Sequence, residues 1–441
     1  MSDRNRCAVS EDHSDEPNQS LRHGLGYGLL GLPLAFMALP LYVHLPHVYA
    51  SRYGMSLTTL GTVLLLARLF DALTDPWLGH WGDRLSAQSP RRMLIAGNVA
   101  ALVLVLGMSM LFFPPWSRAN NPIALFAMLI LTYLAYSLLT ICHQSWGARL
   151  GGGEAQRARI VAWREGSGLL GVVLASVLPG WLSWEEWLTV FALALAVGCW
   201  AWNFSVVPPQ NICAEKRSWL DDMRHPWRQA PFRRLMAVYI LSGMASAIPA
   251  TLVLFFIRDQ LNAASLEPLF LATYFVAAAA SLPLWMHGVA RWGLSRCWLT
   301  GMLLSVTVFM WAASLGTSDV VGFWWVCVLS GLALGADLAL PGAMLAGIIA
   351  ERGDRGSREG TYFGWWNLAG KLNLALAAGL ALPLLELLGY QPGTTSIDGL
   401  HALTIAYSVL PCILKLLAAA LLYLTLIRHA PLTPSTFMES P

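Results

Sequence analysis

Charge is what this chain lacks most. Asp, Glu, Lys and Arg make up 12% of its 441 residues, about half the share of a soluble domain, while 56% are hydrophobic. That balance argues against a soluble enzyme or a nucleic-acid-binding module and implies an integral membrane protein embedded in a lipid bilayer. Cysteine is sparse as well. The seven cysteines are scattered from Cys7 to Cys412 without a Cys-x-x-Cys pair, so neither a disulfide framework nor a zinc site is indicated. Residues 1–20 are polar and have no apolar core of a cleavable signal peptide, so 1–23 reads as a disordered cytoplasmic tail. Gly151-Gly152-Gly153 has no strand before it and no Lys-Ser/Thr after it, which excludes a phosphate-binding loop. No cofactor fingerprint or nucleophile-base pair stands out, so no enzyme and no cofactor is expected.

What is present is long apolar runs. Twelve candidate spans of about 20 residues or more fall near 24–50, 56–82, 92–113, 122–148, 158–182, 187–207, 232–257, 267–290, 296–315, 321–349, 360–388 and 401–427. Residues 208–231 form the longest internal polar stretch and carry Lys216, Arg217, Arg224 and Arg228. They divide the chain into halves at 24–207 and 232–427, with a further tail at 428–441. With the N-terminus inside, 21 of the 28 basic residues fall on cytoplasmic segments, against three on the other side and four within spans. Both termini are therefore expected in the cytoplasm, and a cell (inner) membrane is the expected location. A monomer is expected.

The most informative stretch is Arg68-Leu69-Phe70-Asp71-Ala72-Leu73-Thr74-Asp75-Pro76-Trp77-Leu78-Gly79, in the second span. Arg68, Asp71, Asp75 and Gly79 share one helical face. Charges at the centre of a span cost several kcal/mol unless they are paired or face a cavity. Two carboxylates and one guanidinium leave the stripe one positive charge short, which points to a bound cation. Pro76 cannot donate a helical hydrogen bond and frees the Ala72 carbonyl. Thr74, Ser137 and Thr140 supply candidate hydroxyl ligands, because Tyr133, Ser137, Thr140 and Gln144 form a polar stripe on the fourth span.

Other costly residues make up a candidate substrate set: Lys371 with Asn367 one turn before it, Arg164, Tyr133, Gln144, Trp366 and Asp337. Lys371 and Arg164 suit an anionic or zwitterionic head group, with Trp365 or Trp366 as stacking surface. The competing structural reading pairs Asp337 with Lys371 or Lys415 as an interdomain lock. His44, His47 and His143 read as hydrogen-bonded interface residues ahead of proton relays.

Six spans, a basic linker and six more resemble the layout of major facilitator transporters, an all-α fold of two pseudo-symmetric halves. Gly79-His80-Trp81-Gly82-Asp83-Arg84, followed by Arg91 and Arg92, resembles that superfamily's loop signature. Within it, the second-span stretch and Arg358-Glu359-Gly360-Thr361-Tyr362-Phe363-Gly364-Trp365-Trp366-Asn367-Leu368-Ala369-Gly370-Lys371-Leu372 resemble the glycoside-pentoside-hexuronide:cation symporters. Gly335 to Pro341 and Arg157 to Arg164 extend the likeness through both halves.

The resemblance implies cation-coupled symport of a small organic solute by alternating access, with Na⁺ or H⁺ at Asp71 and Asp75. Asp83, Arg84, Arg68, Arg358 and Glu359 are then the gating candidates. The family's sugar transporters carry acids on helices one and four where this chain has Pro33 and Thr140. The expected cation site is thus intact, and the carboxylates that would grip sugar hydroxyls are missing. The alternatives are a proton-coupled exporter of drugs or amphiphiles and a non-transporting membrane sensor.

Overall fold

The computed structural model describes residues 21–114, 121–178, 181–209, 218–317, 319–390 and 396–428, which are helical apart from short turns. The first span is broken into α1 (Leu21–Gly28), α2 (Gly31–Leu39), a π turn at Pro40–His44 and α3 (Leu45–Ser51). It starts three residues inside the expected N-terminal tail. Next come α4 (Leu57–Gln88), α5 (Pro90–Phe112), α6 (Pro122–Leu150), α7 (Glu154–Val177) and α8 (Trp184–Asn203). A short helix, α9 (Trp219–Arg228), lies in the linker, of which 210–217, with Lys216 and Arg217, fall outside the described residues. So do 1–20 and 429–441, which hold most of both expected tails.

The second half holds α10 (Ala230–Phe255), α11 (Glu267–Trp292), α12 (Leu294–Ala312), α13 (Val320–Glu351) and α14 (Glu359–Leu387). Its last span combines α15 (Ile397–Thr404), a π turn at Ile405–Val409 and α16 (Leu410–Leu422). Among the described residues these helices form twelve rods, six on either side of α9. Nine are long and apolar enough by composition alone to cross a bilayer. α4, with five charged side chains, is not among the nine and crosses by virtue of what those side chains meet.

Capping chemistry explains several starts. The Ser56 hydroxyl accepts from the Thr59 amide at 3.2 Å, and Ser183 with Glu186 makes a capping box at α8. Ser89 and Asn121 each cap a helix whose first residue is proline, where no amide donor is wasted. At its other end α4 runs through Gly79–Arg84 to Gln88, so the segment read as a loop after the second span is helical. Its charged residues sit on the basic end of the molecule, where no bilayer core requires the helix to stop.

Three apolar cores order the interior. One belongs to the first half alone, including Tyr49, Met55, Leu60 and Leu125. Another belongs to the second half alone, with Leu252, Phe256, Ala312 and Tyr390. The third is shared: Ile141, Ala148, Ala158 and Val161 of the first half pack with Ala343, Ile349, Tyr362 and Phe363 of the second. The shared core lies at the end that carries the basic loops. The halves thus converge there and keep separate cores at the opposite end.

Candidate functional site

Two antiparallel helices from different halves, α4 and α14, set the site. Gly79 and Gly360 meet backbone to backbone, and a β-carbon on either would collide with the other's carbonyl; Gly364 approaches the Asp75 carbonyl in the same way. Small residues allow helices in a membrane this approach. The contact fixes register. On α14, Gly360, Gly364, Asn367 and Lys371 form one stripe, and on α4 Asp83, Gly79, Asp75 and Asp71 form its counterpart.

Lys371 consequently reaches the two aspartates. Its Nζ lies 2.7 Å from Asp71 Oδ2 and 2.8 Å from Asp75 Oδ2, and it donates to Ser137 Oγ at 2.7 Å. Ser137 donates to Asp71 Oδ1 at 2.7 Å, so α4, α6 and α14 close one network. Asp75 is completely buried and Asp71 nearly so, whereas the Lys371 side chain keeps 23% of its surface. The sequence left the stripe one positive charge short. The ammonium of Lys371 occupies that place from 296 residues away.

The other candidates divide. Thr74 donates to the Asp71 backbone carbonyl at 2.9 Å, which ties its hydroxyl to its own helix and not to the cluster. Thr140 is half-buried one turn beyond Ser137, and its hydroxyl faces the Tyr136 side chain rather than the Asp71–Lys371 cluster. Tyr133 is buried, and its hydroxyl faces the Arg68 guanidinium. Asn367 donates to Gln144 Oε1 at 2.9 Å across the halves, one turn from Lys371. Gln144 and Arg164 line one small crevice with Tyr27 and Phe363. Arg164 is held by its neighbour Glu165 at 2.6 Å. Trp366 stacks on Tyr239 of α10, ring centroids 3.6 Å apart.

Asp337 is elsewhere. Lys415 Nζ lies 2.5 Å from its Oδ2, Trp298 donates to its Oδ1 at 2.9 Å, and Ser246 donates to it at 3.2 Å. All these partners belong to the second half, so the pair spans no domain boundary. Lys371 was the other partner considered for Asp337 from sequence, and it is committed to α4.

At the basic end Asp83 ties the halves together. It accepts from the Gly360 amide at 2.7 Å and the Thr361 amide at 2.8 Å, and Arg149 Nη2 reaches it at 3.1 Å. The same guanidinium donates to Glu359 Oε2 at 3.1 Å. Arg358 instead holds Asp354 at 2.7 Å and Asp222 of α9 at 3.2 Å, while Arg84 is exposed and outside the latch. Sequence reasoning missed Arg149; its one signal was an arginine in the last turn of a span.

A sequence model of the family described as MFS/sugar transport protein matches residues 24–429. The inner membrane symporter YicJ of Escherichia coli (strain K12) is 21% identical over 67% of this chain, and the match spans 64% of that relative's length. A glucuronide carrier protein homolog of the same organism is 24% identical over 89% of this chain and 88% of its own length. Among solved structures, a bacterial homologue of the iron transporter ferroportin in its outward-facing state has a TM-score of 0.66 at 16% identity, covering 90% of this chain and 98% of that one.

Proposed function

Since the chain belongs to the MFS/sugar transport protein family, we propose that it is a cation-coupled symporter in which Lys371 is a tethered rival of the coupling cation. The observation that carries this reading is the Lys371 ammonium between Asp71 and Asp75. An ammonium and a monovalent cation satisfy the same carboxylates, so they exclude each other. Lys371 sits on the second half and its partners on the first. When Na⁺ or H⁺ neutralises the aspartates, the lysine is released and one tie between the halves is cut.

The freed ammonium then faces the interhalf space beside Asn367 and Gln144. That trio offers one positive charge and several amide donors and acceptors, chemistry suited to a hydroxylated organic anion of the glycuronide kind. The similarity to a glucuronide carrier homolog favours the same class. Binding of cation and solute is thereby coupled, because the cation exposes the group the solute needs.

With the basic end in the cytoplasm, as the positive-inside bias argues, the latched Asp83–Arg149–Glu359 network is a closed inner gate. Both termini are then cytoplasmic, and the separate cores at the other end leave the halves free to part toward the outside.

Thermal stability of purified protein, titrated with Na⁺ at several pH values, tests the rivalry. Lys371→Gln should tighten cation binding by about tenfold while abolishing solute-dependent stabilisation, a coupling of the usual size for linked sites. Unchanged cation affinity in Lys371→Gln would refute it.

A further inference from the structure

On the outside of the first half, α4, α5 and α6 enclose a groove of about 440 Å³. Its floor is made of small side chains, Ala96, Ala100 and Ala135, and its rims of Ile95, Val99 and Leu131. The lining is apolar except at one end, where Arg92 stands beside Trp81. From Arg92 to Val103 the groove follows eleven residues of helix, about 16 Å at 1.5 Å per residue. That is about half of the ~30 Å hydrocarbon core of a bilayer. The groove therefore runs the depth of one leaflet, from the basic end to the midplane.

Charge completes the picture. Arg92, which lines the mouth, is exposed, as are Arg84 and Arg91 near it in sequence, and none of the three meets a carboxylate at ion-pair distance among the described residues; Arg92 donates to Gln88. Between Asp75 and Glu154 the sequence holds one acid, Asp83, and that one is buried and taken up by Arg149. An unpaired positive mouth above an apolar slot one leaflet deep matches a single ligand chemistry, a negatively charged head group on an acyl chain. The exposed Trp81 ring lines the groove together with Arg92, and tryptophan prefers the head-group region of a bilayer.

We propose that this groove is a binding site for an anionic phospholipid of the cytoplasmic leaflet, one acyl chain lying over Ala96, Ala100 and Ala135 and the phosphate resting on Arg92. The site does not depend on the transport reading. It does place a lipid against α4, the helix that carries Asp71 and Asp75.

Native mass spectrometry of the full chain, released from detergent with phosphatidylglycerol or phosphatidylcholine, tests it. The wild-type chain should retain phosphatidylglycerol about fivefold more than phosphatidylcholine, the preference expected of one arginine near an anionic surface. Arg92→Gln should lose the preference, and Ala100→Phe, which fills the floor, should lose the retained lipid altogether. Arg296→Gln, an exposed arginine at the same end of the second half, should behave as wild type. Equal retention of the two lipids by the wild-type chain, or undiminished phosphatidylglycerol on Ala100→Phe, would show ordinary annular lipid and overturn the assignment.

Discussion

Among the described residues two clusters of aspartate and lysine lie in the interior, and they differ in which halves of the chain they join. Asp337 and Lys415 lie within the second half, and Ser242, Ser246 and Trp298 satisfy the remaining hydrogen-bonding capacity. Asp71, Asp75 and Lys371 span the two halves, with two carboxylates to one ammonium and a lysine that keeps part of its surface exposed. A pair inside one packed half has no motion to follow and serves as a fixed strut. On the proposed mechanism a cluster shared between moving halves breaks on every cycle, and the incoming cation takes the place that Lys371 leaves. Burial alone does not separate the two; the domain on which each partner sits does.

The largest effect should come from breaking the strut on one side only. Lys415→Met leaves the largely buried Asp337 carboxylate without its counter-charge and should cost about 3 kcal/mol of stability, the lower end for a broken buried pair, read as thermal unfolding of the purified protein. Asp337→Asn combined with Lys415→Met should recover most of that loss, whereas the loss in Lys371→Met, which leaves two buried carboxylates, should be recovered by added Na⁺ or by lower pH, because that cluster is the one proposed to accept a cation.

Next in size, Asp75→Asn should reduce cation-stimulated uptake in proteoliposomes by roughly 100-fold, near the upper end of ordinary coupling, with little change in melting temperature. An Asp337→Asn variant that still folds should keep its cation dependence. Reversal of these two results would exchange the roles assigned to the clusters.

Smaller again, Glu359→Gln removes one of the two carboxylates that hold Arg149. A hydrogen bond to a charged group is worth about 1.5–3 kcal/mol, so the inner gate should open at least tenfold more often. Cys142, buried beside Gly82, reports it through faster alkylation by a membrane-permeant maleimide. The least effect belongs to Arg84→Gln, which should shift stability by no more than about 0.5 kcal/mol, since an exposed arginine outside the latch supports neither cluster.

Much of the architecture was legible in advance because a bilayer makes backbone satisfaction a local matter, and helices of about 20 apolar residues announce themselves. The polar stripe of α4 was equally legible, since charges one turn apart in an apolar run have few explanations. Ser137, read from sequence as a cation-site hydroxyl, donates to Asp71, whereas the Thr74 hydroxyl bonds to a carbonyl of its own helix. For Asp337, residue types could not choose between Lys371 and Lys415. Arg149 escaped notice because an arginine at the basic end of a span is ordinary until its partners are known.

The sequence by itself determined a membrane-embedded helical chain of two halves and a stripe with one positive charge wanting, because periodicity and hydropathy are properties of neighbouring residues. Only the tertiary structure decided what supplies that charge. Gly79, Gly360 and Gly364 let α4 and α14 touch backbone to backbone, and that close contact sets the register that brings Lys371 to Asp71 and Asp75. A register between helices nearly 300 residues apart is fixed by packing and is written in no local pattern.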